Sequence, residues 1–279
     1  MKPATTELPI ALTIAGFDPS GGAGIIADIK TFAALGCFPT AAITSLTFQN
    51  TFAVLGTSHQ TAQAVRAQLL PILDDFRVAC VKTGMLPTSE IITEVARLMK
   101  ERDLPAPVVD PVICSTSGHQ LIDEEAIDTL IKQLMPLARV VTPNIPEAER
   151  LTGQAIGDEA GMREATDLIL RKGARAVLIK GGHLEKQEAG GRGRRQKEEN
   201  KRAPEVMDLL NDAGRVTVFR GQRIEEVEFH GSGCTLSAAI AAGLGRDMPL
   251  EVAVGQAKRY VAEAMRQAPV IGHGARPLR

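Results

Sequence analysis

The stretch Phe229–Ser237, with the sequence FHGSGCTLS, runs into the small-residue segment Ala238–Leu244. Gly231 and Gly233 let the backbone bend, and the residues after them predict a buried apolar helix. Such a turn brings several backbone N–H groups to one point at a helix N-terminus, where they and the helix dipole attract an anion. A cysteine at position 234 is expected to have a lowered thiol pKa in that field. A tight turn that only packs a helix against a sheet would look the same, so the rest of the chain must decide.

The composition of the 279 residues is that of an α/β protein built from aliphatic side chains. Hydrophobic residues make up 44% and aromatic residues only 3%, and the formal net charge is -1. A near-neutral chain without a basic face gives no support to binding of nucleic acid or of a membrane surface. Four well-separated cysteines argue against a zinc site or a disulfide scaffold, and a short polar N-terminus is unlike a signal peptide. We therefore expect a cytoplasmic protein.

Apolar strands alternate with amphipathic helices along the whole chain. Strands are predicted at 10–15, 40–46, 54–58, 78–83, 107–112, 139–142, 176–180, 206–210, 215–219 and 223–228. Helices are predicted at 25–35, 61–76, 89–100, 123–135, from 148, at 161–172, 238–244 and 250–267. This alternation predicts a three-layer, doubly wound, mostly parallel sheet with helices on both faces and a small antiparallel hairpin at one edge.

No composition break divides the chain, so we expect one domain over residues 1–279. The charged, glycine-containing segment 185–204 is predicted to be a flexible loop. The polar loop 114–119 is a candidate lid, and the tail after residue 267 is expected to be mobile. Ser89 is predicted to cap the helix that follows it.

The glycine loop after the first strand contains a misleading motif. Gly22, Gly24 and Ala27 match the spacing of a dinucleotide-binding fingerprint, but no acidic residue stands about 20 residues further on to hold a ribose. The loop also lacks the Gly-Lys-Ser/Thr ending of a P-loop. What remains is Asp28, in the first or second turn of the helix, which either complements the helix dipole or faces a ligand.

Polar side chains follow several strands at the point where each strand ends. Gln49 could read the edge of a heterocycle or simply be solvated, and Asp110 is costly to bury unless it meets a cation. Asn144 and Glu147 fit either a capping box or a hydrated Mg²⁺ site. Lys180 could reach a phosphate or lie along the surface. Because ligands bind beyond the carboxyl ends of parallel strands, this recurrence favours a functional site at that edge.

The motifs resemble those of the ribokinase superfamily, and within it the hydroxymethylpyrimidine (HMP) and phosphomethylpyrimidine kinases of thiamine synthesis. The matching stretches are LTIAGFDPSGGAG (12–24), ADIKTF (27–32), QNT (49–51), KTGML (82–86), VDPV (109–112), TPNIPEA (142–148), KGGHL (180–184) and HGSGCTLSAA (230–239). Together they span nearly the whole chain in the order of the family. The chain departs from the family pattern at two places. The segment 115–117 is Ser-Thr-Ser, where the family usually carries a lysine near Thr116. The second departure is the acidic run before residue 230.

The resemblance implies ATP-dependent phosphorylation of a primary alcohol with Mg²⁺. It also suggests that the protein is a homodimer. The residue roles that it implies fall into four groups. Gln49 and Asp28 would bind the aminopyrimidine, with Gly16 and Met85 lining its pocket. The backbone amides of Gly231, Ser232, Gly233 and Cys234 would form the anion hole, and Cys234 would take the substrate proton. Asp110 and Glu147 would position Mg²⁺, and Thr142, Asn144 and Lys180 would meet ATP.

Two other functions are compatible with the motifs. A pyridoxal kinase of the same superfamily also phosphorylates a hydroxymethyl heteroaromatic compound. A sensor that binds the pyrimidine without catalysis is the alternative from a different class. No nucleic-acid or membrane partner is expected.

Overall fold

The computed structural model describes residues 8–115, 120–182, 205–224 and 227–279. Its strands are β1 (Ile10–Phe17), β2 (Phe38–Gln49), β3 (Val54–His59), β4 (Val78–Thr83), β5 (Val108–Val109), β6 (Val140–Val141), β7 (Ala176–Lys180), β8 (Glu205–Asp212), β9 (Arg215–Gln222), β10 (Phe229–His230) and β11 (Arg276–Pro277). Its helices are α1 (Gly24–Ala34), α2 (Ala62–Asp75), α3 (Ser89–Glu101), α4 (Glu124–Thr129), α5 (Ile145–Thr152), α6 (Glu159–Arg171), α7 (Ser232–Leu244) and α8 (Leu250–Arg266).

The main sheet has nine strands in the order β3-β2-β1-β4-β5-β6-β7-β8-β9. Strands β2, β1, β4, β5, β6 and β7 run parallel, whereas β3 at one edge and the β8–β9 hairpin at the other are antiparallel. The strand order changes direction between β1 and β4. The carboxyl ends of these two strands therefore flank the crevice where open α/β sheets bind ligands.

Two apolar clusters cover the two faces of the sheet. One joins the strands to residues of α2 to α6, such as Ile91 and Met162, and the other joins them to residues of α1, α7 and α8, such as Phe32, Ile240 and Val254. Helices on both faces of a mostly parallel sheet are the architecture that the sequence predicted. The helix α7, built largely of small residues, is buried along most of its length.

Several local predictions are wrong. Thr88, not Ser89, caps α3, since its side-chain oxygen accepts a hydrogen bond from the Ile91 N–H. Helix α5 begins at Ile145 rather than 148, because Pro146 stands in its first turn, where its missing N–H costs nothing. The strand predicted at 107–112 is shorter than expected, since only Val108–Val109 form β5. Helix α4 continues through a π-helical turn, Leu130–Leu134, and a 3₁₀ turn.

The segment that precedes β10 and the tail also differ from the expectations. Residues 223–224 and 227–228 are not in a strand, because β8, the partner of β9, has already begun at Glu205, opposite Gln222. The tail is fixed, since β11 pairs with β10 and the Ala275 N–H donates to the Thr51 carbonyl at 2.9 Å. The loop 185–204 lies outside the described residues, as does most of the candidate lid, 116–119.

Candidate active site

The turn before α7 has the backbone geometry of an anion cradle. Gly231 is the N-cap residue, with φ +82°, and a Cβ there would lie 1.8 Å from the Gly22 carbonyl oxygen. In the described chain no side chain caps this helix, and the Thr235 N–H makes the first bond, to the Gly231 carbonyl at 2.9 Å. The N–H groups of Ser232, Gly233 and Cys234 therefore have no carbonyl partner inside the helix.

The glycine loop that faces this cradle is organised by Asp18. One of its carboxylate oxygens accepts from the Ser20 N–H and hydroxyl at 2.8 and 2.7 Å, and the other accepts from the Gly22 and Ala23 N–H groups at 3.2 and 2.8 Å. Burial favours a higher pKa for Asp18, but hydrogen bonds from His230, Ser20 and Ala23 outweigh it and lower the pKa. Sequence reasoning missed Asp18, although Asp-Pro-Ser at the start of a glycine loop is typical of a turn closed by its own side chain.

The thiol of Cys234 does not have the lowered pKa that the sequence predicted. Desolvation raises the pKa to about 11, and the carboxylates of Asp110 and Asp28 add to the rise. Lys82 and a hydrogen bond from the Gly24 N–H oppose the rise without cancelling it. The helix N-terminus is thus outweighed by burial and by two nearby negative charges, so the resting side chain is a thiol at neutral pH.

Near Cys234, Lys82 of β4 and Asp28 of α1 form a fully buried ion pair. The Lys82 ammonium is 2.8 Å from Asp28 Oδ2, which also accepts from the Thr13 hydroxyl at 2.6 Å. Burial lowers the pKa of Lys82, but Asp28, Cys234 and Asp110 outweigh that effect and raise it. Burial raises the pKa of Asp28. Lys82 was not singled out from the sequence, where the signal was a lysine inside the apolar strand β4.

A second charged group lies on the other side of the cradle. The Lys180 ammonium is 3.0 Å from Asp110 Oδ1 and 3.9 Å from Glu147 Oε2, and a Cβ on Gly233 would lie 3.2 Å from that ammonium. The Thr142 hydroxyl contacts Asp110 Oδ1 at 3.3 Å and the Ser237 hydroxyl of α7 at 3.1 Å. These contacts tie the ends of β5, β6 and β7 to the first two turns of α7.

Asn144 and Glu147 form the capping box that the sequence offered as one of two interpretations. The Glu147 N–H donates to Asn144 Oδ1, and the Asn144 N–H donates to Glu147 Oε2, both at 2.8 Å. Burial raises the pKa of Glu147 to about 7; Lys180 lowers it and Asp110 raises it further. The second interpretation, a Mg²⁺ site, stays compatible with this geometry because Glu147 caps through its carboxylate beside Asp110.

The residues expected to line the pyrimidine pocket lie beside the glycine loop. A Cβ on Gly16 would lie 2.9 Å from the Met85 sulfur, so these two residues touch. The Gln49 amide nitrogen is 2.8 Å from Nε2 of His230, the residue that directly precedes the cradle in the chain. Asp28, by contrast, is completely buried, and its Oδ1 has no hydrogen-bond partner among the residues that the structure describes.

Contacts thus connect most of the predicted site residues at the carboxyl edge of the sheet, and Gly16 and Met85 lie beside the glycine loop of that region. A helix N-terminal cradle flanked by lysines and carboxylates at the switch point of a doubly wound sheet is typical of enzymes that handle phosphoryl groups. The class that the fold and site define is a phosphotransferase acting on a small molecule.

The family model for phosphomethylpyrimidine kinase matches residues 18–279. The chain is 44% identical to a hydroxymethylpyrimidine/phosphomethylpyrimidine kinase of Rhizobium meliloti, with 96% of each protein covered. It is 43% identical to a thiamine biosynthesis bifunctional protein of Geobacter sulfurreducens, of which it spans 51%. The chain therefore belongs to the phosphomethylpyrimidine kinase family and is a kinase.

Among solved structures, the chain resembles an ADP complex of Bacillus subtilis pyridoxal kinase. The TM-score is 0.84 at 33% identity, covering 98% of this chain and 97% of the other. The ribokinase-like fold is thereby confirmed, and the lower identity does not favour the pyridoxal alternative. Within the described residues, no helix is both long and apolar enough to cross a bilayer.

Proposed function

We propose that this kinase transfers the γ-phosphoryl group of ATP to the hydroxymethyl oxygen of HMP, and a second phosphoryl group to HMP phosphate, in thiamine synthesis. The observation that carries the proposal is the uncapped turn Gly231–Cys234, which places free backbone N–H groups beside a cysteine and between two lysines. The names of the curated relatives supply the substrate class.

Charge stabilisation is the main task in such a reaction, because the transition state of phosphoryl transfer spreads negative charge over the moving group. N–H groups fixed at a helix N-terminus do this without reorganising. Lys180 lies against the cradle on the side of β7, where it would meet the phosphates of ATP together with Thr142 and Asn144.

The carboxylates of Asp110 and Glu147 fit a Mg²⁺ ion that arrives with the nucleotide. Mg²⁺ is usually held by one or two carboxylates together with water and phosphate oxygens, and it would supply neutralisation of the phosphate charge. In the described residues no group of three or more His, Cys, Asp or Glu side chains gathers as a metal site. A pair of carboxyl groups, both near the Lys180 ammonium, is the donor set expected for a metal that is bound mainly through its nucleotide.

The substrate ring would lie between Gln49 and the Gly16–Met85 contact. The amide of Gln49 can donate and accept, as an aminopyrimidine edge requires. Asp28 would serve the amino group only through its unpartnered Oδ1, while its other oxygen holds Lys82.

Cys234 is proposed to accept the hydroxyl proton of the substrate. With a pKa of about 11, roughly one thiol in 10⁴ is ionised at pH 7. In a loose transition state the proton leaves late, so a small ionised fraction of the thiol is sufficient.

The decisive assay is ADP release with HMP, HMP phosphate or pyridoxal as acceptor, in the presence of ATP and Mg²⁺. We expect kcat/KM to be highest for the two pyrimidines, and Gln49→Ala to lower it more for HMP than for pyridoxal. A preference for pyridoxal would replace the proposal with the alternative kinase. Tight HMP binding without any ADP release would replace it with a non-catalytic sensor.

We also propose a cytoplasmic homodimer. Phe48, Phe52 and Leu55 are large apolar side chains exposed by 54, 74 and 76% near the β2–β3 turn, at an edge of the sheet. Apolar side chains gathered at a sheet edge favour burial against a second copy. Light scattering of the wild type and of Phe52→Ser tests this, and a monomeric wild type would refute it.

A further inference from the structure

His230 makes two contacts through one nitrogen atom. Its Nε2 lies 2.8 Å from Asp18 Oδ2 and 2.8 Å from the terminal amide nitrogen of Gln49. The imidazole is buried, with 7% exposure, and packs so tightly on the glycine loop that a Cβ at Gly22 would lie 2.3 Å from its Cδ2. The side chain thus occupies the junction between the glycine loop, the cradle and the strand that carries Gln49.

The two contacts require different protonation states of the same nitrogen atom, His230 Nε2. An imidazole nitrogen has either one hydrogen or one lone pair in the ring plane. Asp18, whose oxygens already accept four hydrogen bonds from its own loop, can only accept, so Nε2 must carry the hydrogen and donate it. That nitrogen then has no lone pair for the amide NH₂ of Gln49.

Rotating the Gln49 amide by 180° removes the conflict. The oxygen and nitrogen of an amide have nearly the same shape, and their placement is decided by the hydrogen-bond network. After rotation, the amide oxygen accepts from His230 Nε2–H, sharing that hydrogen with Asp18, and the NH₂ group faces Thr47.

The environment of Thr47 leads independently to the same orientation. Its hydroxyl lies 3.1 Å from the Phe17 carbonyl and 3.0 Å from the second amide atom of Gln49. If both neighbours were oxygens, a single hydroxyl hydrogen would have to serve two acceptors. With NH₂ at the second position, Thr47 donates to Phe17 and accepts from Gln49, so every group has a partner of the correct type.

We propose that His230, held by Asp18, is a positioning residue that fixes the Gln49 amide with its oxygen toward His230 and its NH₂ toward Thr47. The remaining N–H of that amide then donates to a ring nitrogen of the substrate. The inference rests on the proposed function for the identity of that substrate.

The orientation is measured without substrate, by NMR of the full chain labelled at glutamine, threonine and histidine. We expect the nuclear Overhauser contacts of the Gln49 NH₂ protons to be stronger with the Thr47 side chain than with the His230 ring. Stronger contacts with the His230 ring than with Thr47 would overturn the proposal. This readout is independent of whether HMP is the substrate, so it separates failure of the inference from failure of the proposed function.

Kinetics then test the consequence. His230→Leu should raise KM for HMP about 10-fold, the effect of losing a hydrogen bond that fixes a binding group, with kcat and KM for ATP changed less than threefold. His230→Gln, which keeps a donor, should restore KM to within threefold, and exposed His273→Leu serves as the matched control. If His230→Leu lowered kcat and raised KM for ATP as much as it raised KM for HMP, and His230→Gln restored none of them, His230 would only support the fold. That result would overturn the proposal. Should His230→Leu fail to fold, the NMR contacts of the wild type decide.

Discussion

Replacing Glu147 with glutamine should change how stability depends on pH. Glutamine keeps the acceptor that the Asn144 N–H needs, so the capping box survives, but the titrating group is gone. In the folded chain the pKa of Glu147 is raised from 4.5 to about 7 by burial and by Asp110, against the effect of Lys180. Between these two pH values the folded state holds a proton that the unfolded state has released.

The stability due to this bound proton is fully present below pH 4.5 and is lost as the pH rises through 7. A shift of that size corresponds to about 3 kcal/mol in the free energy of unfolding. The wild type should therefore lose about 3 kcal/mol relative to Glu147→Gln between pH 4.5 and pH 8.

Urea denaturation at half-unit steps from pH 4.5 to pH 8 measures that difference directly. The matched control is Glu125→Gln, the same substitution at an exposed position in the first turn of α4. Its difference from the wild type should stay flat across the series. A flat difference for Glu147→Gln as well would refute the assignment of a protonated, buried carboxyl at this site.

Three further predictions follow from the buried charges. Lys82→Met should lower the free energy of unfolding by about 3–5 kcal/mol, because it leaves Asp28 buried without a cation. Adding Asp28→Asn should recover part of that loss, as measured by denaturant unfolding. If the losses from the two substitutions simply added, the pairing would be contradicted. Iodoacetamide should label Cys234 slowly at pH 7 and increasingly fast toward pH 10, measured by mass spectrometry in a Cys114→Ser background, and rapid labelling at pH 7 would contradict a raised thiol pKa. Mg²⁺ with a non-hydrolysable ATP analogue should bind more tightly at pH 8 than at pH 6 by calorimetry, because Glu147 must ionise to bind the metal; equal affinity would argue against Glu147 as a ligand.

The fold could be predicted from the sequence because its signals are local. Alternating apolar strands and amphipathic helices, with glycines between them, are enough to indicate a doubly wound sheet. The errors arose where tertiary contacts decide. The tail after residue 267 has no apolar periodicity, yet it is fixed by backbone pairing of β11 with β10 and by the Thr51 carbonyl, neither of which leaves a mark in the sequence.

The site was predictable in outline for the same reason, since polar residues at strand ends of a parallel sheet meet at one edge. The missed residues act through partners far away in sequence. Lys82 looks like an ordinary strand residue until Asp28 is placed opposite it, and His230 gains its role from Asp18, 212 positions earlier. The thiol pKa of Cys234 was predicted in the wrong direction because the helix dipole can be inferred from the sequence, whereas desolvation and the carboxylates of Asp28 and Asp110 cannot.

The central claim is that Cys234 accepts the substrate proton at the cradle formed by residues 231–234, in a place separate from the pyrimidine pocket. Single-turnover phosphoryl transfer from ATP to HMP by Cys234→Ala, with HMP binding measured in parallel, tests it most directly. The account predicts HMP affinity within threefold of the wild type and transfer slowed by about 10²-fold or more, the contribution typical of a positioned proton acceptor. Unchanged transfer would remove Cys234 from the reaction, and loss of HMP binding together with transfer would contradict the separation of cradle and pyrimidine pocket described above.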